Sequence, residues 1–232
     1  MVLSELGWFN GITALISMLL SLVIGIIFMY KSKKLGAKLL MYAGLMVITI
    51  SGLYLGVSFD FLSYIFTGNN MENSFGLRGI MSYAWVPLII LLALYLGTTI
   101  MEMKRKWLIL GIYIGLAVVY EYFLFFHANE SFDFEYAANE LIDTSFNDLY
   151  PTFILIVVFL MSGFLLDGIG FLIKAKQGVG VLRKKFLYLS FGTTIFVVCG
   201  AIESLLSGGI ILVVVRGGMI SSAFLFYFGL KT

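Results

Sequence analysis

The chain has 232 residues, of which 61% are hydrophobic and only 12% charged, with a mean hydropathy of +1.03 and a formal net charge of +2. This composition excludes a soluble domain with a polar shell and indicates an integral membrane protein. Cys199 is the single cysteine of the sequence, so no disulfide can form within the chain.

Apolar runs of about 20 residues, the length that crosses the roughly 30 Å hydrocarbon core, predict seven membrane helices. They cover residues 7–30, 36–58, 79–101, 107–127, 150–173, 185–206 and 208–229, and are numbered spans 1 to 7. The start has no basic segment and no cleavage pattern, so we expect span 1 to be retained. Because the alternating pattern of a membrane barrel is missing, the predicted fold class is an all-α seven-helix bundle, a single domain over residues 1–232.

Local features refine the prediction for four of these spans. In span 2, the stretch "SFDFLSYIFTGNN" stays apolar past Asp60 and predicts an extra turn or an interfacial helix. Pro87 lies one to two turns into span 3 and is expected to kink it. Spans 6 and 7 leave almost no room for a loop, so Gly208 and Gly209 are predicted to form a tight reversal.

The distribution of basic residues predicts the orientation. Thirteen of the 15 lysines and arginines lie after spans 1, 3 and 5 or at the C-terminal end. Basic residues of short connections stay on the cytoplasmic side of a membrane. We therefore expect a multi-pass protein of the cell membrane with its N-terminus outside and its C-terminus in the cytoplasm.

The predicted outer connection after span 4, residues 128–149, is long and acidic. It contains six acids and no lysine or arginine. Its apolar residues come mostly at spacings near three and four, which predicts a short amphipathic helix on the outer surface. Two interpretations stay open: a lid over a binding site, or a solvated acidic loop.

Three charged residues fall in the predicted outer half of the spans, where charges are costly and usually face protein or water. Arg216 lies in span 7, Glu121 in span 4 and Glu203 in span 6, all in the predicted outer half. One or both carboxylates can pair with the guanidinium. This set is either a structural ion pair that fixes the helices or a site for a polar or anionic ligand.

Three further residues are secondary candidates. Asp167 lies near the cytoplasmic end of span 5, where we expect a polar contact or cap beside the following basic connection. Tyr120 precedes Glu121 in span 4, and Trp85 precedes the proline of span 3. Each is a possible neighbour of a ligand, and each also fits ordinary packing.

No sequence motif indicates catalysis, a cofactor or a metal. There is no HExxH, no CxxC, no glycine-rich phosphate loop, and His127 is the only histidine. The prediction is a protein that is not an enzyme and uses no cofactor. The basic connections fit orientation and anionic lipid better than nucleic acid.

The stretches "MYKSKKLGAKLLMYAGLMVITISGLYLG" and "RGIMSYAWVPLIILLALYLGT", the latter containing Tyr83, Trp85 and Pro87, carry a family resemblance. Their order resembles the seven-transmembrane sensor region at the N-terminus of some prokaryotic histidine kinases. The resemblance implies an input module that signals through helix 7. No kinase follows here, so the output is expected on a partner or on a part removed from the chain. The topology is also similar to that of microbial rhodopsins, but Arg216 lies where their retinal lysine is expected.

The resulting prediction is a sensory or receptor-like module in the lipid bilayer. An outer-half cavity lined by Arg216, Glu121 and Glu203 would recognise a small polar or lipid-like ligand, and span 7 would signal to a cytoplasmic partner. One alternative is a transporter or ion-conducting protein that uses these charges as a polar pathway. Another is a membrane scaffold in which the charges only hold helices together.

Overall fold

The computed structural model describes residues 3–205 and 211–231. Seven helices of this part are long and apolar enough to cross a membrane, which confirms the all-α seven-helix fold class of a multi-pass membrane protein. Spans 1 to 7 are Glu5–Leu35, Lys38–Thr67, Ser74–Ile100, Lys106–Phe126, Pro151–Gln177, Gly180–Leu205 and Ile211–Leu230. The reversal predicted at Gly208 and Gly209 lies outside the described residues.

The spans form a ring in chain order. Each span packs against its neighbour in sequence, and span 7 closes the ring by packing against spans 1 and 2. Span 4 is peripheral and contacts only spans 3 and 5 among the pairs with substantial contact in the described part. The side of the bundle that carries the connection between spans 4 and 5 is termed the hairpin end. The opposite side, which carries the lysine-rich connections, is termed the basic end.

Span 1 begins and ends at residues that satisfy its free backbone groups. The Ser4 hydroxyl accepts a hydrogen bond from the Gly7 N–H at 3.0 Å, as an N-cap does. Gly36 ends the helix with a φ of 65°, a left-handed conformation that glycine adopts without strain. Only a two-residue connection then precedes span 2, so spans 1 and 2 form a tight antiparallel pair.

Three spans are irregular helices. Span 2 consists of Lys38–Ser51 and Leu55–Thr67 with a 3-10 turn at Gly52–Tyr54, so the apolar run past Asp60 continues as helix. Span 3 begins with a 3-10 turn at Ser74–Gly76, continues as Leu77–Tyr83 and resumes as Val86–Ile100. Its break comes just before Pro87, which occupies a first-turn position that needs no N–H donor. Span 5 consists of Pro151–Ser162, a π-helical turn at Gly163–Ile169, and Gly170–Gln177.

The amphipathic helix predicted for residues 128–149 is wrong. After a short helix, Ala128–Ser131, this connection forms an antiparallel hairpin of β1, Phe132–Glu135, and β2, Asp143–Phe146. Phe132 and Phe146 pair across the strands and pack on Tyr83 of span 3. The short alternation of aromatic and acidic residues in "FDFE" has the period of a strand, and this local pattern prevailed over the sparser helical spacing.

Spans 1 and 2 touch backbone to backbone at a pair of glycines. A Cβ atom added to Gly44 would lie 2.9 Å from the Gly25 carbonyl oxygen and 3.1 Å from the Met29 nitrogen. A Cβ atom on Gly25 would lie 2.8 Å from the Gly44 carbonyl oxygen. The close approach therefore depends on the absence of side chains at both positions, as in other tightly packed membrane helices.

We expect Gly44→Ala to destabilise the protein by about 1–3 kcal/mol, because the added methyl group forces the two backbones apart. The measurement is reversible unfolding in detergent micelles. Gly115→Ala is the matched control, since Gly115 lies exposed in span 4 with no atom within 4 Å of an added Cβ. Equal stability of the two variants would contradict this account of the span 1 and span 2 contact.

Candidate functional site

Arg216 of span 7 is buried at the hairpin end, with 3% of its surface exposed. Its guanidinium donates to Glu203 Oε1 at 3.1 Å, to the main-chain and side-chain oxygens of Asn10 at 2.9 and 2.8 Å, and to Thr13 Oγ1 at 2.6 Å. The ring of Tyr54 lies 5.6 Å from the guanidinium carbon. These contacts join spans 1, 2, 6 and 7, so Arg216 is held by the protein itself.

The structure separates the three charges that the sequence grouped together. Glu203 is the carboxylate that pairs with Arg216. Glu121 is not among the partners of Arg216, because it projects from the peripheral span 4. Its Oε2 atom is buried with no hydrogen-bond partner in the described part of the chain. The sequence placed all three residues in the outer half, but span 4 lies apart from spans 6 and 7 around the ring.

A second buried pair, which sequence reasoning missed, holds the hairpin. Asp60 is fully buried and accepts the main-chain N–H groups of Met71 and Ile142, both at 2.8 Å. Arg78 lies 4.0 Å from the same carboxylate and donates to Thr144 of β2. A charged residue within the apolar stretch of span 2 was the available signal for this pair. The pair fixes the connections that follow spans 2 and 4 to the bundle.

A polar pocket of about 90 Å³ lies between these two pairs. Arg78 and Arg216 line it, together with Glu203 and with Asp143 of β2, so the hairpin forms one wall. Asp60 adds a third carboxylate to this group through its pair with Arg78. Three carboxylates around two guanidiniums leave no surplus of positive charge for an anionic ligand.

A larger, mainly apolar cavity of about 120 Å³ continues from this pocket toward the basic end. Spans 2, 3, 5, 6 and 7 line it. The residues shared by the two spaces are Leu53, Tyr83, Gly200, Ser204 and Met219. The cavity is lined by residues of span 3 from Tyr83 to Ile100, a length of about 25 Å at 1.5 Å per residue. The cavity is therefore elongated and runs along the bundle.

Among the described residues that line this cavity, Asp167 alone is charged, and it is 2% exposed. Its predicted contact with the basic connection is not found, because none of the described basic side chains forms an ion pair with it. The π-helical turn Gly163–Ile169 carries Asp167, and the carboxyl group lies against Gly97 of span 3, where any added Cβ would collide with it. Asp167 thus faces the bundle interior.

The two aromatic candidates have packing roles. Tyr120 is fully buried beside Phe159, and its hydroxyl donates to the Tyr83 carbonyl oxygen at 3.3 Å. Trp85 is partly exposed, packs over Gly52 and donates from Nε1 to the Met81 carbonyl oxygen at 3.1 Å. Both contacts stabilise irregular parts of spans 2 and 3. In the described residues, no group of three or more His, Cys, Asp or Glu side chains is placed to hold a metal ion.

Comparisons with known proteins found no matching family model, no similar curated protein and no similar solved structure. The likeness to a histidine kinase sensor region therefore stays a prediction from the sequence.

Glu203→Ala is expected to destabilise the protein by about 3–5 kcal/mol, because it leaves the buried Arg216 guanidinium without its counter-charge. Unfolding in micelles measures this effect. Glu130→Ala is the control, since the Glu130 side chain is 58% exposed. The double replacement of Glu203 by Leu and Arg216 by Met should recover most of the loss, because it removes both charges. A single variant as stable as the control would show that the pair does not hold the spans together.

Asp60→Ala is expected to accelerate hydrogen exchange of the Met71 and Ile142 amides by roughly tenfold or more, because a bond to a carboxylate contributes about 1.5–3 kcal/mol. Exchange measured by mass spectrometry on overlapping peptides tests this. Asp133→Ala, at an exposed position of β1, serves as the control. Unchanged exchange at both amides would refute the anchoring role of Asp60.

Proposed function

We propose that this protein is a receptor-like membrane module that binds a small, mainly apolar ligand inside the helix bundle and signals through span 7 to a cytoplasmic partner. The observation that carries the proposal is the elongated central cavity lined by five of the seven spans. Protein interiors usually contain few voids larger than a water molecule. An apolar cavity with a small number of polar groups is the usual form of a ligand site.

The proposal places the ligand away from Arg216. Because Arg216 already donates four hydrogen bonds to Glu203, Asn10 and Thr13, it has little capacity left for a ligand. A ligand that displaced Glu203 would have to replace a buried ion pair. The polar pocket at the hairpin end is better understood as a route toward the central cavity, with the hairpin as one wall.

Span 7 is the element best placed to report on the ligand. Met219, Phe226 and Leu230 of this span line the cavity along its length. The same helix is bound to spans 1 and 6 at the hairpin end through Arg216. A ligand changes the position of span 7 only if it binds one arrangement of the helix better than another. The predicted orientation puts the end of span 7 in the cytoplasm, where a signalling partner would read it.

Transport is the second candidate, and it has weaker support. A pathway for a polar solute or ion needs groups that replace water along its length. The charges at the hairpin end are paired with each other, and the cavity below them is mainly apolar. Flux of labelled solutes or ions into proteoliposomes distinguishes the two functions. Protein-dependent, saturable flux would favour the transporter.

Filling the cavity tests the proposed site. A Cβ atom on Gly200 first meets Leu160 at 3.8 Å, so a side chain there enters the cavity without a backbone clash. We expect wild-type protein in nanodiscs to bind the neutral probe 2-phenylethanol saturably. Gly200→Leu should weaken binding by about tenfold or more, because the leucine side chain occupies space that the ligand needs. An apolar group of the ligand that is no longer buried loses roughly 1.5–3 kcal/mol.

Equilibrium dialysis against lipid-only nanodiscs measures this binding. Gly115→Leu is the matched control, because it makes the same change on the exposed surface of span 4. Equal binding by the two leucine variants would contradict a ligand site in the central cavity.

A further inference from the structure

We infer that Asp167 is the charged anchor of the central cavity and that the cavity takes an organic amine, a molecule with an ammonium group on a small apolar body. This inference rests on the proposed function, because it names the chemical class of the ligand for the same cavity. It is carried by the burial of Asp167, its lack of a partner, its place in an irregular helix and the aromatic side chains around the cavity.

The two buried aspartates of the bundle differ in their partners. Asp60 and Asp167 are 0% and 2% exposed. Asp60 accepts two main-chain N–H bonds and lies 4.0 Å from Arg78, as a structural carboxylate should. Asp167 has no ion pair in the described chain, and its Oδ1 atom has no hydrogen-bond partner there. A carboxylate in this position needs a cation or a donor from elsewhere.

The backbone around Asp167 is shaped to hold it in the cavity wall. The π-helical turn Gly163–Ile169 interrupts the regular hydrogen bonding of span 5, and such turns are frequent at functional sites. Ser190 of span 6 donates to the Gly168 carbonyl oxygen at 2.7 Å and supports the turn. Across the cavity wall, Gly97 leaves the space that the carboxyl group occupies. The π-helical turn of span 5 and the glycine of span 3 together make room for the Asp167 carboxyl group.

The surroundings of the cavity favour an organic cation. Phe159, Phe171, Phe196 and Phe226 line the same space, and aromatic faces attract ammonium groups. A divalent metal ion would need several oxygen ligands. Asp167 belongs to no such cluster within the described residues. One carboxylate in an aromatic cavity matches one ammonium group on an apolar body.

The experiment compares three probes of similar size in nanodiscs of zwitterionic lipid: 2-phenylethylamine, 2-phenylethanol and 3-phenylpropionate. We expect wild-type protein to bind the amine at least about tenfold more tightly than the alcohol, because the ammonium group pairs with the buried Asp167 carboxylate. The anion should bind more weakly than the alcohol, because the two carboxylates repel each other. Asp167→Asn should abolish the preference for the amine while leaving the affinity for the alcohol within about threefold. Asp148→Asn, at an exposed position of the connection between spans 4 and 5, is the matched control.

A second variant covers the case in which Asp167→Asn does not fold. Gly97→Ala keeps the acid but displaces it, and it should reduce amine affinity more than alcohol affinity. Equal affinity of wild-type protein for amine and alcohol, or an amine preference that survives in Asp167→Asn, would overturn the inference. Either result leaves the proposed cavity site intact as long as Gly200→Leu still blocks the alcohol.

Discussion

The buried guanidinium of Arg216 is the constraint on which the hairpin end of the bundle depends. A charge within a membrane helix must be neutralised and hydrogen bonded inside the protein. Glu203 supplies the counter-charge, and Asn10 and Thr13 supply the remaining acceptors. Because these partners lie on spans 6 and 1, the requirements of one side chain bring three helices together. They also close the ring between the last span and the first.

Buried charged groups are paired at the hairpin end, whereas Asp167 in the cavity has no ion pair within the described residues. Near the hairpin, each of Arg78, Arg216, Asp60 and Glu203 lies within 4.0 Å of an opposite charge. Asp60, Arg78 and Arg216 make further hydrogen bonds to main-chain or side-chain groups. The fold supplies a counter-charge for each of these groups, and the two pairs specify how the elements meet. Asp167 lies in an apolar cavity without an equivalent set. The fold therefore accounts for the first group, and the proposed amine would supply the missing counter-charge of Asp167.

Much of the fold and part of the site could be predicted from the sequence. Long apolar runs identify membrane helices because the bilayer sets their length. Span 2 continued nine residues past its expected end, to Thr67, and spans 1, 3 and 6 each extended five residues beyond an expected end. The proximity of Arg216 and Glu203 followed from depth. Depth carries no information about rotation around the ring, so Glu121 was grouped with them and the interior position of Asp167 was not foreseen. The hairpin was missed because two four-residue strands leave a weak pattern.

The same arrangement explains how a ligand near Asp167 can act on span 7. Arg216 binds the hairpin end of span 7 to spans 1 and 6 with charged and polar bonds, which resist displacement. Toward the basic end, Phe226 and Leu230 line the cavity with apolar side chains. Tyr227, between them, accepts a hydrogen bond from Lys31 Nζ of span 1 at 2.8 Å. Apolar contacts are not directional, so helices can slide or tilt across them at low cost. Span 7 is thus held by polar bonds near both ends, and a ligand in the cavity would act on the segment between Arg216 and Tyr227, which carries Met219 and Phe226.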